Sequence, residues 1–111
     1  MLPVPEWTPI GEYKASARIQ KTSGRIYWNE ILNQYLGRPE SIMLEYDAAL
    51  KWLGIRKDSY LSVVKDEDGN FYVDAKEALE EIGFEFPLDE NLTFEPAPPT
   101  DNLNRVILEL E

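Results

Sequence analysis

The sequence predicts a single α+β domain, mainly β, in which two β-β-α-β-β halves interlock around a shared core. Three observations support this prediction. Short runs alternate between apolar and polar residues with a period of two, as in strands that are buried on one face. Two short helical segments each end at a glycine, and the same order of elements occurs twice along the chain. With 111 residues, of which 43% are hydrophobic and 12% aromatic, the chain is long enough to fold around one core.

The first half of this domain covers residues 13–57 and follows an extended arm at residues 1–12. The arm is predicted from its three prolines, because proline fixes the backbone and cannot donate a hydrogen bond. Asn29 is a favourable N-cap for the helix of this half, and Gly37 is a favourable end. The elements expected here are strands at 13–21, 25–28, 41–46 and 50–56 and a helix at 30–36.

The second half covers residues 60–111 and repeats this order. Asp74 is expected to cap its helix, with Glu77 three residues later completing a capping box and Gly83 ending the helix. A turn from Asp66 to Gly69 joins its first two strands. The elements expected here are strands at 60–65, 70–73, 91–95 and 105–110 and a helix at 75–82.

The two halves can be aligned with one another. Placing Gly24 on Gly69 also places Tyr27 on Tyr72, and one inserted residue brings the two helix ends into line. Each half has one apolar helix face and four short strands, so neither buries its apolar surface alone and the two are expected to share a core. Two unrelated αβ stretches that match by chance are the alternative. The last strand, at 105–110, either joins this core or forms an edge that pairs with a second copy of the chain.

The first half also carries the residues of a known family pattern. In order along the chain these are Arg18-Ile19, Ser23-Gly24-Arg25-Ile26, Asn29-Glu30, Leu36-Gly37, Ser41-Ile42-Met43-Leu44-Glu45-Tyr46-Asp47 and Ile55-Arg56-Lys57. The pattern resembles the AbrB/SpoVT-like (MazE-like) swapped-hairpin domain over residues 14–57, and in outline over residues 60–111. The resemblance implies a swapped-hairpin-like barrel in a tandem, single-chain form. It also implies a DNA-binding transcription regulator or an antitoxin-like protein.

In this family, basic residues on the first strand and the adjoining turn contact DNA. Carried over to this sequence, the DNA-binding candidates are Lys14, Arg18, Lys21 and Arg25. Independently of the resemblance, they form a compact set of phosphate donors in which arginine also pairs with guanine. At an offset of 45 residues the second half has lost the equivalent cations, and the residues there are Val63, Asp66 and Asn70. Double-stranded DNA is therefore expected to bind through the first half, and a solvated strand face without a ligand is the alternative.

Charge is divided unevenly between the halves. Residues 1–57 carry eight basic and six acidic residues, whereas residues 58–111 carry three basic and fifteen acidic, which gives net charges of +2 and −12 within a total of −10. The alternative function is therefore an acidic protein-interaction module without nucleic acid, which docks a basic protein partner or imitates DNA phosphates. A solvated acidic surface is the ordinary interpretation. The candidate partner-binding residues are Asp66, Glu67, Asp68, Glu80 and Glu81.

The composition excludes several kinds of site. The chain has no Cys and no His, which rules out disulfide scaffolds, His-based metal sites and His-based catalytic triads. The segment from Asp66 to Glu77 matches the ligand spacing of an EF-hand calcium loop, but Phe71 stands where that loop needs Gly. No carboxylate lies in an apolar context and no glycine-rich phosphate loop is present. The sequence thus predicts a protein that is not an enzyme, with no metal site and no cofactor.

The sequence also shows no membrane signal. No stretch approaches 18 apolar residues, and the N-terminus has no basic segment followed by an apolar run. We therefore expect a cytoplasmic protein with no membrane partner. Among the tryptophans, Trp28 and Trp52 lie within β runs and are predicted to be core residues, whereas Trp7 on the arm is a candidate for a contact across an interface or onto the barrel surface.

Overall fold

The computed structural model describes residue 3, residues 14–85 and residues 91–110. Within these ranges the strands are β1 (Ala17–Ile19), β2 (Arg25–Trp28), β3 (Ser41–Asp47), β4 (Trp52–Lys57), β5 (Leu61–Ser62), β6 (Val64–Lys65), β7 (Phe71–Asp74), β8 (Leu92–Phe94) and β9 (Val106–Glu109), and the helices are α1 (Glu30–Tyr35) and α2 (Lys76–Glu81). The predicted α+β class with mainly β structure is confirmed. Apart from Pro3, the predicted arm at 1–12 lies outside the described residues.

The strands form two antiparallel sheets. The first sheet has the order β6-β7-β2-β1-β8, and the second has the order β5-β3-β4-β9. The strand predicted at 60–65 is divided at Val63, whose backbone N–H donates to the Glu40 carbonyl at 2.9 Å. β5 pairs with β3 and β6 pairs with β7, so this divided strand contributes to both sheets.

The two halves exchange strands, as the internal repeat predicts. The first strand of each half pairs with the third strand of the other half, β1 with β8 and β5 with β3. The second strands, β2 and β7, pair with each other in a register that places Tyr27 opposite Tyr72. Because these two tyrosines are equivalent in the repeat, a pseudo-two-fold axis passes between them. The interleaving of the halves follows from these pairings.

One hydrophobic core joins the two halves, and each buried aliphatic side chain contributes roughly 1.5–3 kcal/mol to folding. Its buried side chains include Ile19, Ile26, Leu32, Ile42 and Ile55 from the first half and Val73, Leu79, Val106 and Leu108 from the second. Trp28 lies in this core as predicted, and its indole N–H donates to Asn33 Oδ1 at 3.0 Å. The prediction that Trp52 is a core residue is wrong, because its side chain lies on the outer face of the second sheet and is only partly buried.

Asn29 caps α1 as predicted and also ties the helix to the segment before β1. Its Oδ1 accepts hydrogen bonds from the backbone N–H groups of Leu32 at 3.0 Å and Ser16 at 3.2 Å. Its Nδ2 donates to the Lys14 carbonyl at 2.6 Å. The side chain is buried, so these three bonds replace the water that it loses on folding.

The capping box predicted from Asp74 and Glu77 at the start of α2 is wrong. Asp74 belongs to β7, and the N-cap of α2 is Ala75, which makes no side-chain capping hydrogen bond. Asp74 Oδ1 accepts instead from the backbone N–H of Lys76 at 3.3 Å. The N–H of Ala75 donates to the Gly24 carbonyl at 3.2 Å, so the turn between β1 and β2 supplies the contact at the helix start.

The barrel has a gap between the two sheets. β8 is the edge of the first sheet and β9 is the edge of the second, and no ladder joins them within residues 14–85 and 91–110. The equivalent strands of the first half, β3 and β4, are paired along their length. Ile42 lies opposite Lys57 at one end of the ladder, and Asp47 lies opposite Trp52 at the other. Three prolines lie in the loop between β8 and β9, where they cannot donate to a ladder. We refer to the gap between β8 and β9 as the seam.

Candidate nucleic-acid interface

The outward face of the first sheet carries two of the four predicted DNA-binding residues. Successive side chains of a strand point to opposite faces. Arg18 is the exposed residue between two buried ones in β1, and Arg25 and Tyr27 alternate with buried residues in β2. Tyr72 lies opposite Tyr27 on the same face of β7. We refer to these four residues as the Arg–Tyr face.

Each arginine of the Arg–Tyr face lies over a tyrosine ring. The guanidinium carbon of Arg18 is 4.9 Å from the centroid of Tyr27, and that of Arg25 is 4.6 Å from the centroid of Tyr72. The two tyrosine rings are themselves 5.2 Å apart at an interplanar angle of 41°. Stacking on an aromatic ring is worth about 0.5–1 kcal/mol at an exposed site, and it limits the conformations of an otherwise mobile arginine.

Hydrogen bonding also fixes Arg25 in this arrangement. Its Nη1 donates to the Tyr27 hydroxyl at 3.4 Å. This bond, followed by the effect of Tyr72, raises the pKa of Arg25 above its ordinary value, and Asp74 contributes in the same direction. Arg25 therefore keeps its full charge at any pH at which a folded protein is studied.

The other two predicted cations lie apart from the stacked pair. Lys14 is exposed in the segment before β1, where its carbonyl accepts from Asn29. Lys21 is exposed in the turn between β1 and β2, and its backbone N–H donates to Asn91 Oδ1 at 2.9 Å. The side chain of Lys21 helps to line a small pocket with Glu80 of α2. The structure thus joins Arg18 and Arg25 through one aromatic pair and places the lysines at the two ends of β1.

The second half differs from the first at the position of Arg18. The sequence alignment placed Val63 there, but the structure places Val64 opposite Tyr72, as Arg18 lies opposite Tyr27. The shift of one residue arises because Val63 leaves the ladder between β5 and β6. Val64 is 43% exposed and has no charge, and Asn70 stands at the position equivalent to Arg25, so the Arg–Tyr face has two cations fewer than two-fold symmetry would give.

The five predicted partner-binding carboxylates do not form one cluster. Asp66 lies in the turn between β6 and β7, where its Oδ1 accepts from the backbone N–H groups of Asp68 and Asn70, each at 2.9 Å. Glu67 and Asp68 are exposed in the same turn. The two glutamates of α2 lie elsewhere and line different pockets, Glu80 with Lys21 and Glu81 with Met43 and Tyr60.

An ion-pair network that the sequence did not suggest lies on the outward face of the second sheet. Glu45 Oε1 accepts from Nε of Arg56 at 2.8 Å and from Nε of Arg105 at 3.0 Å. Arg56 Nη1 also pairs with Asp58 at 2.5 Å, and Arg105 Nη1 pairs with Asp101 at 2.9 Å. The five groups therefore connect β3, β4 and the residues before β9.

The three carboxylates of the network all have pKa values below their ordinary ones. Partial burial acts to raise the pKa of Glu45, but the hydrogen bonds from Arg105 and Arg56 outweigh it and hold the value below the ordinary one. The pKa of Asp58 is lowered first by a backbone N–H and then by Arg56. That of Asp101 is lowered chiefly by the backbone N–H of Arg105. All three carboxylates are charged at neutral pH.

Gly54 in β4 is the one sequence signal that could have pointed to this network. A Cβ at Gly54 would lie 3.0 Å from Cδ of Arg105, so the absence of a side chain lets Arg105 cross β4 and reach Glu45. Glycine within a strand often marks a close approach of this kind. The sequence indicated the tyrosines of the Arg–Tyr face more directly, because Tyr27 and Tyr72 occupy equivalent positions in the internal repeat.

The seam opens as a cleft of about 550 Å³ beside the network. Trp52, Arg105 and Ile107 line it on one side, and Phe94 and the proline-containing loop line it on the other. Ile107 is 38% exposed. The cleft therefore combines apolar surface with two strand edges.

Neither helix in the described ranges has the length and apolar character needed to cross a membrane. Likewise, no three acidic side chains in those ranges converge in a way that could hold a metal ion. Comparison with known proteins gives no relative, since no family model, no curated protein and no solved structure matches this chain.

Proposed function

We propose that this protein binds double-stranded DNA through the Arg–Tyr face and acts as a transcription regulator or antitoxin-like protein of the AbrB type, without enzymatic activity. The observation that supports this is the placement of Arg18 and Arg25 over paired tyrosines, across a pseudo-two-fold axis on an outward sheet face. A cytoplasmic location belongs to the same proposal.

The chemistry of the Arg–Tyr face suits nucleic acid. A guanidinium binds a phosphate or the O6 and N7 atoms of guanine through two parallel hydrogen bonds. Arg18 and Arg25 lie on neighbouring strands, and a two-stranded ribbon fits the major groove of B-DNA. Because stacking restricts both side chains before binding, less conformational entropy is lost when the complex forms.

The charge of the chain limits the strength of binding. A net charge of −10 opposes approach to DNA, and Asp74 lies directly opposite Arg25 on the neighbouring strand. The logarithm of the affinity should fall with the logarithm of the salt concentration at a slope of about −2 for two phosphate contacts, and about −4 if both lysines take part. Binding should therefore be observed at low ionic strength and be lost near physiological salt.

Fluorescence anisotropy of a labelled duplex over a salt series tests this proposal. The double variant Arg18→Ala/Arg25→Ala should reduce both the affinity and the salt slope. The control, Arg38→Ala/Lys57→Ala, removes the same charge from exposed positions outside the Arg–Tyr face and should reduce the affinity much less. No binding at low salt, or an equal loss in the two variants, would contradict the proposal.

The alternative proposal, a module that docks a basic protein partner through the second half, is favoured by a different observation. The five carboxylates predicted for it are dispersed, but among the described residues neither β8 nor β9 of the same half has a strand partner on its seam side. A partner would therefore be recognised at the seam.

A further inference from the structure

On the seam side, β9 pairs with no strand of residues 14–85 and 91–110, and its edge presents backbone hydrogen-bonding groups to the seam. In an antiparallel ladder, alternate residues direct their N–H and C=O groups to opposite sides. The backbone N–H of Leu110 donates to the Lys51 carbonyl at 3.0 Å. Leu108 is two residues earlier, so its backbone N–H and C=O groups also point toward β4. Ile107 and Glu109 therefore direct theirs toward the seam, where no described residue continues the ladder.

The side chains along the seam differ between its inner and outer faces. On the inner face, Leu108 is fully buried and Phe94 packs against the core. On the outer face, Glu109 of β9 and Glu95 next to β8 are exposed. Arg105 is the cation of this cleft, and its charge is already balanced by the carboxylates of the ion-pair network. A strand placed in the seam would thus meet an apolar inner face and an acidic outer face.

We infer that the seam binds an extended segment of a partner protein, which adds to β9 as a further strand and carries alternating apolar and basic side chains. The backbone of the segment pairs with Ile107 and Glu109. Its apolar side chains pack beside Leu108 and Phe94, and its basic side chains lie beside Glu95 and Glu109. Strand addition to an open edge is an established mode of peptide recognition. This site is separate from the Arg–Tyr face, and the inference rests on the alternative function, the docking of a basic partner, and not on DNA binding.

Two observations favour a free segment as the occupant. The equivalent edges in the first half are closed by the ladder between β3 and β4, so the fold accommodates continuous pairing at this place. A second copy of the chain would bring β9 together with its neighbour β4, and both would have to enter a cleft of about 550 Å³. An isolated segment meets no such obstacle. It also covers an apolar edge that would otherwise promote aggregation.

Amide hydrogen exchange of the isolated full chain gives the first test. At a concentration where sedimentation shows monomer, the N–H groups of Ile107 and Glu109 should exchange much faster than that of Leu108, which lies in the ladder with β4. If all three exchange equally slowly in the monomer, the chain closes the seam itself. If they become slow only on self-association, the occupant is a second copy. Either result overturns the inference.

A peptide titration gives the second test. The probe is a fluorescein-labelled octapeptide of alternating lysine and valine, with two controls: one of alternating glutamate and valine, and one with four lysines followed by four valines. The alternating basic peptide should bind and slow the exchange of Ile107 and Glu109, and both controls should bind about tenfold more weakly. No binding, equal binding of the block peptide, or unchanged exchange would each overturn the inference.

A matched pair of variants locates the site. Ile107→Lys places a positive charge in the seam and should lower the affinity for the alternating basic peptide about tenfold. Leu103→Lys makes the same change at a residue that is 53% exposed and outside the cleft lining, and should leave the affinity close to that of the parent protein. Equal effects of the two variants would show that only the net charge matters and would contradict the site.

Discussion

Gly24 and Gly69 occupy equivalent positions in the repeat but have different surroundings. Both have positive φ angles, +69° and +83°. A Cβ at Gly24 would lie 2.8 Å from the Cα of Lys76 at the start of α2, whereas a Cβ at Gly69 would meet nothing within 4 Å. We therefore expect Gly24→Ala to lower the free energy of unfolding more than Gly69→Ala does.

The size of the difference can be worked from these contacts. A left-handed backbone costs a residue other than glycine about 1–2 kcal/mol, and replacing glycine in the unfolded chain returns about 0.4–1 kcal/mol. Both effects apply to the two variants alike. For Gly69→Ala no further contact is made, so its free energy of unfolding should fall by about 1 kcal/mol. Contact with the backbone of α2 is specific to Gly24, and overpacking of this kind typically costs about 1–3 kcal/mol. Gly24→Ala should therefore cost about 2–4 kcal/mol.

Urea unfolding monitored by tryptophan fluorescence measures both variants directly. The comparison is valid where the dependence of the free energy on urea is the same for both variants and the parent, since the denatured states are then comparable. An equal loss in the two variants would show that α2 moves away from the turn without cost. The close packing of α2 on the turn between β1 and β2 would then be refuted.

Two further predictions concern the binding face and the ion-pair network. Val64→Arg should place a third guanidinium beside Tyr72 and strengthen duplex binding severalfold at low salt, as measured by anisotropy; an unchanged affinity would contradict the role of this face. Because the pKa values of Glu45, Asp58 and Asp101 are lowered by folding, the stability they provide is present above their unfolded pKa values near 4 and is lost as pH falls through the folded values. Urea unfolding at pH 7 and pH 3 should show this loss, and Glu45→Gln should reduce it.

The order of the elements could be predicted from the sequence because it depends on local chemistry. Alternating apolar residues predict β1 and β3, and Asn29 forms the cap that its residue type favours. The exchange of strands could be predicted because Tyr27 and Tyr72 coincide in the repeat. These predictions needed no knowledge of which distant residues come into contact.

The errors arose where a distant group replaced a local one. Asp74 is held in β7 by its pairing with β2, and the N–H of Ala75 donates to the carbonyl of Gly24, so the N-cap position of α2 falls on Ala75. Val63 donates to Glu40 and leaves the strand, which moves Val64 into the place of Arg18. A sequence pattern contains no information about either contact.

The ion-pair network was beyond sequence reasoning for a related reason. Arg105 and Glu45 are 60 residues apart in the chain, and they meet only because β9 pairs with β4 in a particular register. Gly54 shows that something approaches β4 closely, but it does not identify the partner. Identifying it requires the register of two strands from different halves.

The departures from two-fold symmetry lie in the second half, and each changes a surface without disturbing the core. Val64 and Asn70 stand in place of the two arginines, so the cations of the Arg–Tyr face come from the first half alone. Within the described residues, the seam takes the place of a ladder like the one that joins β3 to β4. Among the described residues, the buried positions of the two halves are apolar apart from Asn29 and Asn33. A duplicated fold whose core is preserved while its outward positions diverge can carry two different binding sites. The first-half arginines and the second-half seam, with its acidic outer face, are the two surfaces at which this chain has diverged.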